Sequence, residues 1–187
     1  PDRENRSAED AAKTVRDVLS AINVPLIILG SNHAEKDSSV LVAAAEAAKD
    51  KNCIIGKAQE ANYKTIVAAA MANNHKLIAM SELDINLSKQ LNILITQMGF
   101  DKEKLVTDPM SSALGYGLEY TYSVMERIRL AALTQNDATM QPPMVADIGM
   151  YVWKIKETQA PESDLPSGVH CLKEASHGRL SQQCRFL

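Results

Sequence analysis

Short apolar runs alternate with amphipathic stretches along most of the chain. Each run covers only a few residues and lacks the strict alternation of apolar and polar positions that a half-exposed strand shows. We therefore predict strands buried on both faces, as in a parallel sheet. These predicted strands lie at 24–30, 53–56, 76–80, 104–108 and 143–147.

Helical periodicity fills the intervals between the predicted strands. Apolar residues recur every three to four positions, the spacing of one helix face. The predicted helices cover 8–22, 38–48, 62–73, 85–98 and 116–133. Gly99 predicts the end of the fourth helix, because glycine readily adopts the left-handed conformation that closes helices.

Regular alternation of strand and helix indicates β/α units, which fit either a doubly wound sheet or a closed (β/α)₈ TIM barrel. The first strand runs into Gly30-Ser31-Asn32-His33, which lacks the Gly-rich phosphate fingerprint and so favours the barrel. A complete barrel needs about 250 residues, and the chain has 187. We therefore predict a partial barrel of about five β/α units over residues 1–160.

The pattern stops near the end of the chain. Proline and glycine at Pro161, Pro166 and Gly168 interrupt it, and no further strand is predicted. We expect 161–187 to be an irregular tail foreign to the barrel, arising from a frame change or altered splicing. The chain also begins with Pro1 rather than methionine, which suggests an internal start within a longer chain.

Composition excludes several classes of function. A net charge of −3 and few aromatic residues (4%) argue against a nucleic-acid-binding surface. No apolar run approaches the roughly 18 residues that a membrane span needs. The three cysteines, Cys53, Cys171 and Cys184, are widely spaced, which predicts neither a disulfide framework nor a metal or iron–sulfur motif and favours a reducing, cytoplasmic compartment.

Polar residues follow the predicted strands, where β/α barrels place their functional groups. We predict Asn32, Ser81, Asp84 and Asp108 as ligand-binding candidates at the barrel mouth. Helix capping by Asp84 and a turn at Asp108-Pro109 are the structural alternatives. Other polar residues in comparable positions are Ser31, His33, Lys57, Gln59, Glu60, Glu82, Ser111, Ser112 and Asp147.

The segment after the fourth strand has the most specific pattern. Gly115 and Gly117 permit a positive φ or close backbone approach, and tyrosines follow at 116, 120 and 122. We predict that Gly115, Tyr116 and Gly117 contact a large planar ligand or a partner, with a tight turn packed on the barrel as the alternative. No nucleophile–base set, carboxylate pair or metal-ligand set is defined, so we predict no catalytic residue and no metal site.

The run ALGYGLEYTYSVMERIR at 113–129, preceded by Asp108-Pro109, resembles the signature of the small (delta) subunit of the corrinoid iron–sulfur protein. That protein belongs to the CO dehydrogenase/acetyl-CoA synthase system. Residues 61–72, 84–94 and 147–154 resemble the same family in the same order, so the resemblance covers about 1–161.

The resemblance implies a (β/α)₈ barrel and a heterodimer with a large (gamma) subunit. The large subunit would carry the iron–sulfur cluster and most contacts to the cobamide, and the small subunit would cover this corrinoid at the interface. The pair would carry a methyl group between a methyltetrahydrofolate methyltransferase and acetyl-CoA synthase, in the reductive acetyl-CoA (Wood–Ljungdahl) pathway.

Two departures from the family are visible. The family is expected to have a Thr-rich loop where this chain has Asp108-Pro109-Met110-Ser111-Ser112. The family is also expected to continue into further strands after Pro161; without them the last strand would be exposed and would favour aggregation.

Two alternatives to this family function stay open. One alternative is a pterin-binding methyltransferase barrel in which Asn32, Asp84 and Asp108 hold methyltetrahydrofolate. The other is an inactive, truncated relic without a cooperative unfolding transition.

Overall fold

A computed structural model describes residues 7–31, 33–113 and 115–152 as an α/β structure around one parallel sheet. The strands are β1 (Ile27–Leu29), β2 (Ile54–Ala58), β3 (Lys76–Met80) and β4 (Leu105–Asp108). The helices are α1 (Ala8–Ala21), α2 (Ala34–Ala47), α3 (Tyr63–Ala72), α4 (Ile85–Gln97), α5 (Leu118–Thr134) and the short α6 (Ile148–Val152). Single 3₁₀ turns lie at Lys102–Lys104 and Ala138–Met140. The tail predicted for 161–187 lies outside the described residues.

The strand order in the sheet is β1-β2-β3-β4, with every neighbouring pair parallel. Strands therefore follow one another without the reversal of order that defines the switch point of a doubly wound sheet. Sequential parallel order is that of one arc of a β/α barrel. The predicted α/β class with a parallel sheet is confirmed.

The predicted fifth strand at 143–147 is wrong as a full strand. Only an isolated parallel bridge joins Thr107 to Met144, with Thr107 N donating to Pro143 O at 2.8 Å and Val145 N donating to Thr107 O at 2.9 Å. Pro142 and Pro143 have no N–H to donate, which restricts the ladder at this point. The segment still lies beside β4, in the next position along the sheet.

The core fills the space between the sheet and α1–α4. Leu41, Ile55, Ile66, Leu77 and Ile95 are each at most 1% exposed. A second cluster joins Val124, Ile128 and Ala132 of α5 to Met140. Burial of both faces of β2 and β3 explains why their sequences are apolar runs without alternation.

Local signals explain several helix ends. Ser7 forms a capping box with Asp10 at the start of α1. Gly99 has φ +90° directly after Met98, which closes α4 as predicted. Gly117 has φ +106° and is the N-cap of α5, so that helix begins at Leu118 rather than at 116. In the part of the chain that the structure describes, no helix is both long enough and apolar enough to cross a bilayer.

Asp137, after α5, has a pKa lowered to about 2 by its bond to Lys89 at 2.6 Å and by the Thr139 hydroxyl at 2.7 Å. A lowered pKa contributes stability that is present above the ordinary value of 3.8 and is lost as pH falls towards 2. We expect Asp137→Asn to cost less than about 1 kcal/mol at pH 5, because the Lys89 side chain is 49% exposed and water screens its charge. This cost should shrink between pH 4 and pH 2 in urea unfolding; an unchanged cost at pH 2 would contradict it.

Candidate functional site

A buried ion-pair cluster lies at the carboxyl ends of the strands, the end at which β/α barrels bind ligands. Lys57 Nζ, from β2, is 2.8 Å from Asp108 Oδ2, at the end of β4. The same nitrogen is 3.3 Å from Asp147 Oδ2, beyond the Met144 bridge. Side-chain exposure is 3% for Lys57, 0% for Asp108 and 23% for Asp147, so water screens these charges only at the Asp147 side. We call these three residues the mouth cluster.

Tyr151 of α6 closes the cluster on one side. Its ring centroid is 5.4 Å from Lys57 Nζ, within cation–π range. Its hydroxyl donates to Met80 Sδ, at the end of β3, at 3.7 Å. Burial raises the pKa of the Tyr151 phenol; Lys57 opposes this, and the nearby carboxylates add to it.

Lys57 is held in its charged form. Burial alone lowers the pKa of a lysine, but contact with Asp108 and the charges of Asp108, Tyr151 and Asp147 outweigh it and raise the pKa above 10.5. An ammonium with a raised pKa is a poor nucleophile at neutral pH. The arrangement fits an electrostatic anchor that ties β2, β4 and the 147–151 segment together.

Two buried serines follow β3 and β4 at the same end of the sheet, and their hydroxyls have no hydrogen-bond partner in the described part of the chain. Ser81 is 1% exposed and Ser111 is 0% exposed. The backbone places Ser81 beside β4, because its N–H donates to Asp108 O at 3.0 Å. Since buried hydroxyls are normally hydrogen-bonded, two such groups at the mouth suggest a polar ligand.

Asp108 also shapes the loop that follows β4. Its Oδ1 accepts from Met110 N at 2.9 Å, the geometry of an Asx turn, and Met110 has φ +66°. Ser112 N then donates to Thr121 Oγ1 at 2.9 Å, which ties the loop to α5. The turn considered from the sequence is therefore present at Asp108, whose other carboxylate oxygen belongs to the mouth cluster. Ligand binding by Asp108 stays a prediction.

A second buried carboxylate lies after β1. Asp37 is 3% exposed, and its Oδ1 accepts from Ser31 N at 2.6 Å and from the Ser31 hydroxyl at 2.7 Å. A Cβ added at Gly30 would lie 2.5 Å from the Asp37 carboxylate carbon, so only glycine fits there. Asp37 lies in the first turn of α2, and its bonds to Ser31 hold the loop after β1 in place. His33 is the helix N-cap and makes no side-chain capping bond.

The Gly-rich loop leads into α5 at the same end of the sheet. Gly115 has φ +76°, and Tyr116 N donates to Ala113 O at 2.9 Å, which forms a tight turn. Tyr116 is 53% exposed, Tyr120 65% and Tyr122 70%. The tyrosines are thus displayed at the surface rather than packed on the sheet.

A groove of about 530 Å³ separates the start of α5 from the segment before α6. Ser111 lines it at one point, and Glu119 lines it at its exposed side. Its walls are apolar and come from Leu118, Met125, Ala146 and Ile148. We call this feature the mouth groove; its volume is typical of ligand-binding clefts.

The predicted site residues do not all come together in the structure. Ser81 and Asp108 meet at the mouth cluster, and Gly115, Tyr116 and Gly117 form the loop beside it. Asp84 caps α4, where its Oδ1 accepts from Asn86 N at 2.7 Å and from Leu87 N at 3.3 Å. Asn32 lies outside the described residues. Among those residues no group of three or more His, Cys, Asp or Glu side chains could hold a metal ion.

Sequence reasoning noted Lys57 and Asp147 but missed their pairing, and it missed Tyr151 altogether. The available signal was a lysine inside an otherwise apolar run, because a buried lysine needs a carboxylate partner. Two aspartates at the ends of later predicted strands supplied the partners. Only the order of the strands in the sheet shows that both aspartates lie within reach of Lys57.

The four-stranded parallel sheet, with charged groups, an aromatic loop and a groove at its carboxyl end, defines an α/β protein with a partial, barrel-like sheet. The sequence profile of the CO dehydrogenase/acetyl-CoA synthase delta subunit family (CdhD) matches residues 3–163. The chain belongs to this family.

Three relatives are each described as an acetyl-CoA decarbonylase/synthase complex subunit delta. The one from Methanothermobacter thermautotrophicus is 40% identical over 75% of this chain and 36% of its own length. "Subunit delta 1" from Methanosarcina thermophila is 42% identical over 72% and 31%, respectively. The relative from Methanopyrus kandleri is 37% identical over 84% and 39%. The chain spans about a third of the length of these curated relatives.

Proposed function

We propose that this chain forms part of the small subunit of a two-subunit methyl carrier, with its barrel mouth covering a corrinoid that a large (gamma) subunit holds. The observation that carries the proposal is the position of the Gly-rich loop. This loop displays Tyr116, and the first turns of α5 that follow it display Tyr120 and Tyr122, inside the segment that the delta-subunit family profile matches. Amphipathic tyrosines are favoured in such contact surfaces.

The residues at the mouth fit a corrinoid. The macrocycle is broad and largely apolar, and its rim carries neutral carboxamide side chains. The mouth offers exposed tyrosines, the apolar walls of the groove and the unpartnered hydroxyls of Ser81 and Ser111. We propose Tyr116, Gly115 and Gly117 as the surface against the ring, and Ser81 and Ser111 as hydrogen-bonding groups. When bound, the corrinoid supplies the cobalt that carries the methyl group.

The contribution of this chain is positioning and cover rather than covalent chemistry. Lys57 is engaged by Asp108 and Asp147, so it holds the strand ends in place and is not offered as a nucleophile. The apolar side chains around the groove would exclude water from the corrinoid face. Positioned groups and water exclusion are what a protein adds to cofactor chemistry.

The rest of the proposed system follows from the family. We place the iron–sulfur cluster on the large subunit, because a cluster needs several closely spaced cysteine ligands. The three cysteines of this chain are widely spaced in the sequence, and the one within the described residues, Cys53, is buried. The pair would exchange a methyl group with a methyltetrahydrofolate methyltransferase and with acetyl-CoA synthase in the cytoplasm. This places the chain in the reductive acetyl-CoA (Wood–Ljungdahl) pathway.

The geometry gives less support to a pterin-binding methyltransferase. That function would use Asn32, Asp84 and Asp108 as ligands for methyltetrahydrofolate. Asp84 is occupied as the cap of α4, and Asp108 is buried against Lys57. Both carboxylates are therefore bonded within the chain rather than free to bind a pterin.

Co-elution with the large subunit tests the proposal. We expect the chain to elute one-to-one with a cobamide-loaded large subunit in size exclusion, with the corrinoid absorbance in the same peak. Tyr120→Ala should weaken the association about tenfold or more, because exposed aromatic anchors dominate interfaces. The matched control is Leu133→Ala, which alters a 71% exposed residue at the other end of α5. Separate elution of the wild-type chain and the loaded large subunit would overturn the proposal.

A further inference from the structure

The mouth groove is apolar along its walls and presents only acceptor-type or neutral polar groups. The polar side chains that line it include Ser111, Thr121 and the carboxylate of Glu119, and among the described residues no lysine or arginine lines it. The neighbouring mouth cluster has two carboxylates and one ammonium, and that ammonium already lies against both carboxylates. An anionic ligand would therefore be repelled, whereas a group with N–H donors is favoured.

Ser111 is an independent observation that points to a ligand. Its side chain is fully buried, its hydroxyl has no hydrogen-bond partner in the described part of the chain, and it lines the groove. A buried hydroxyl without a partner loses its hydrogen bonds to water and gains none in return. Its location at the carboxyl end of β4 is also the end at which barrels bind ligands.

We propose that the mouth groove is a carboxamide subsite, which takes an amide side chain from the rim of a corrin ring together with the apolar edge beside it. The Ser111 hydroxyl donates to the amide carbonyl oxygen, and the Glu119 carboxylate accepts from the amide N–H. Leu118, Met125 and Ile148 contact the apolar edge. This inference rests on the proposed function and assigns the part of the corrinoid that this chain contacts.

A methyl-resolved titration tests the subsite on the full chain. The chain is labelled with ¹³C at its methionine methyl groups and titrated with dicyanocobinamide, whose rim carries amides. The matched probe is the heptamethyl ester of dicyanocobyrinic acid, which keeps the macrocycle but lacks amide N–H groups. We expect the Met125 signal to shift, with Met71 and Met98, exposed on α3 and just after α4, unmoved.

Three variants separate the contacts. Ser111→Ala should weaken the binding of cobinamide and of the ester alike, each about 5- to 10-fold, because the carbonyl oxygen of both accepts the Ser111 hydrogen bond. Glu119→Ala, at an exposed position that leaves the core intact, should reduce the preference for amide over ester, because only an amide has the N–H that Glu119 accepts from. Ser123→Ala, an exposed serine of α5 outside the groove, should match the wild type.

The result that overturns the proposal is a Met125 signal that does not move, or equal affinity of the wild-type chain for amide and ester. Unchanged cobinamide affinity in both Ser111→Ala and Glu119→Ala would overturn it too. Each of these results is distinct from failure of the proposed function, which is measured by heterodimer formation. A chain that co-elutes with the large subunit but shows no amide preference keeps the proposed function and loses the subsite.

Discussion

Lys57→Met is expected to lower the free energy of unfolding by about 3–5 kcal/mol, the cost of removing one partner from a buried ion pair. The substitution leaves the 0% exposed carboxylate of Asp108 without its ammonium 2.8 Å away. Methionine is similar in length and apolar, so the loss of charge rather than of volume dominates. Urea unfolding at pH 7, followed by circular dichroism, measures the effect.

Two comparisons sharpen the Lys57 prediction. Lys89→Met removes a lysine that is 49% exposed and paired with Asp137, and such pairs contribute about 0–1 kcal/mol. The double variant Lys57→Met with Asp108→Asn should recover part of the loss, because no bare buried charge at 108 remains. If Lys57→Met costs no more than Lys89→Met, the mouth cluster is not buried as described.

The second large effect is expected in the middle of the sheet. Leu77 is 0% exposed on β3, between β2 and β4. Leu77→Ala should cost about 2–5 kcal/mol, since it removes buried methyl groups and leaves a cavity in a packed core. The matched control is Leu133→Ala at a 71% exposed position, which should stay within about 0.5 kcal/mol. Equal costs for the two variants would contradict the burial of β3 on both faces.

Much of the fold could be predicted from apolar patterning. β3 and β4 match their predicted runs closely, and α4 runs from Ile85 to Gln97 against a predicted 85–98. These elements are buried on both faces or along one stripe, so the pattern of apolar residues reports their packing directly. α2 begins four residues earlier than predicted, at Ala34, because its first turn is polar and carries no apolar period.

Two of the errors in the predicted strands lie next to proline. The first run was predicted to begin at Val24, but β1 begins at Ile27, after Pro25. The fifth run is reduced to a bridge at Met144, after Pro142 and Pro143. Proline cannot donate to a ladder, so hydrophobicity alone overestimates strand length next to it.

The candidate site was predictable in location but not in connectivity. Strand order places Ser81 and Asp108 at the same end of the sheet, and parallel β/α units require this from the sequence alone. The contacts of Lys57 with Asp108 and Asp147 join residues far apart in the chain, and only the register between strands sets their distances. Asp84 is the converse case, because a local capping bond decides its role.

Hydrogen exchange, compared between the chain alone and the chain bound to its cobamide-loaded large subunit, shows whether the mouth faces the corrinoid-bearing partner. We expect slower exchange on binding at 109–122 and 147–151, which form the loops and helix starts at the mouth, with no change at 51–53 and 74–76 at the opposite end of the strands. Slower exchange confined to the opposite end, or none at the mouth in a complex that has formed, would contradict it.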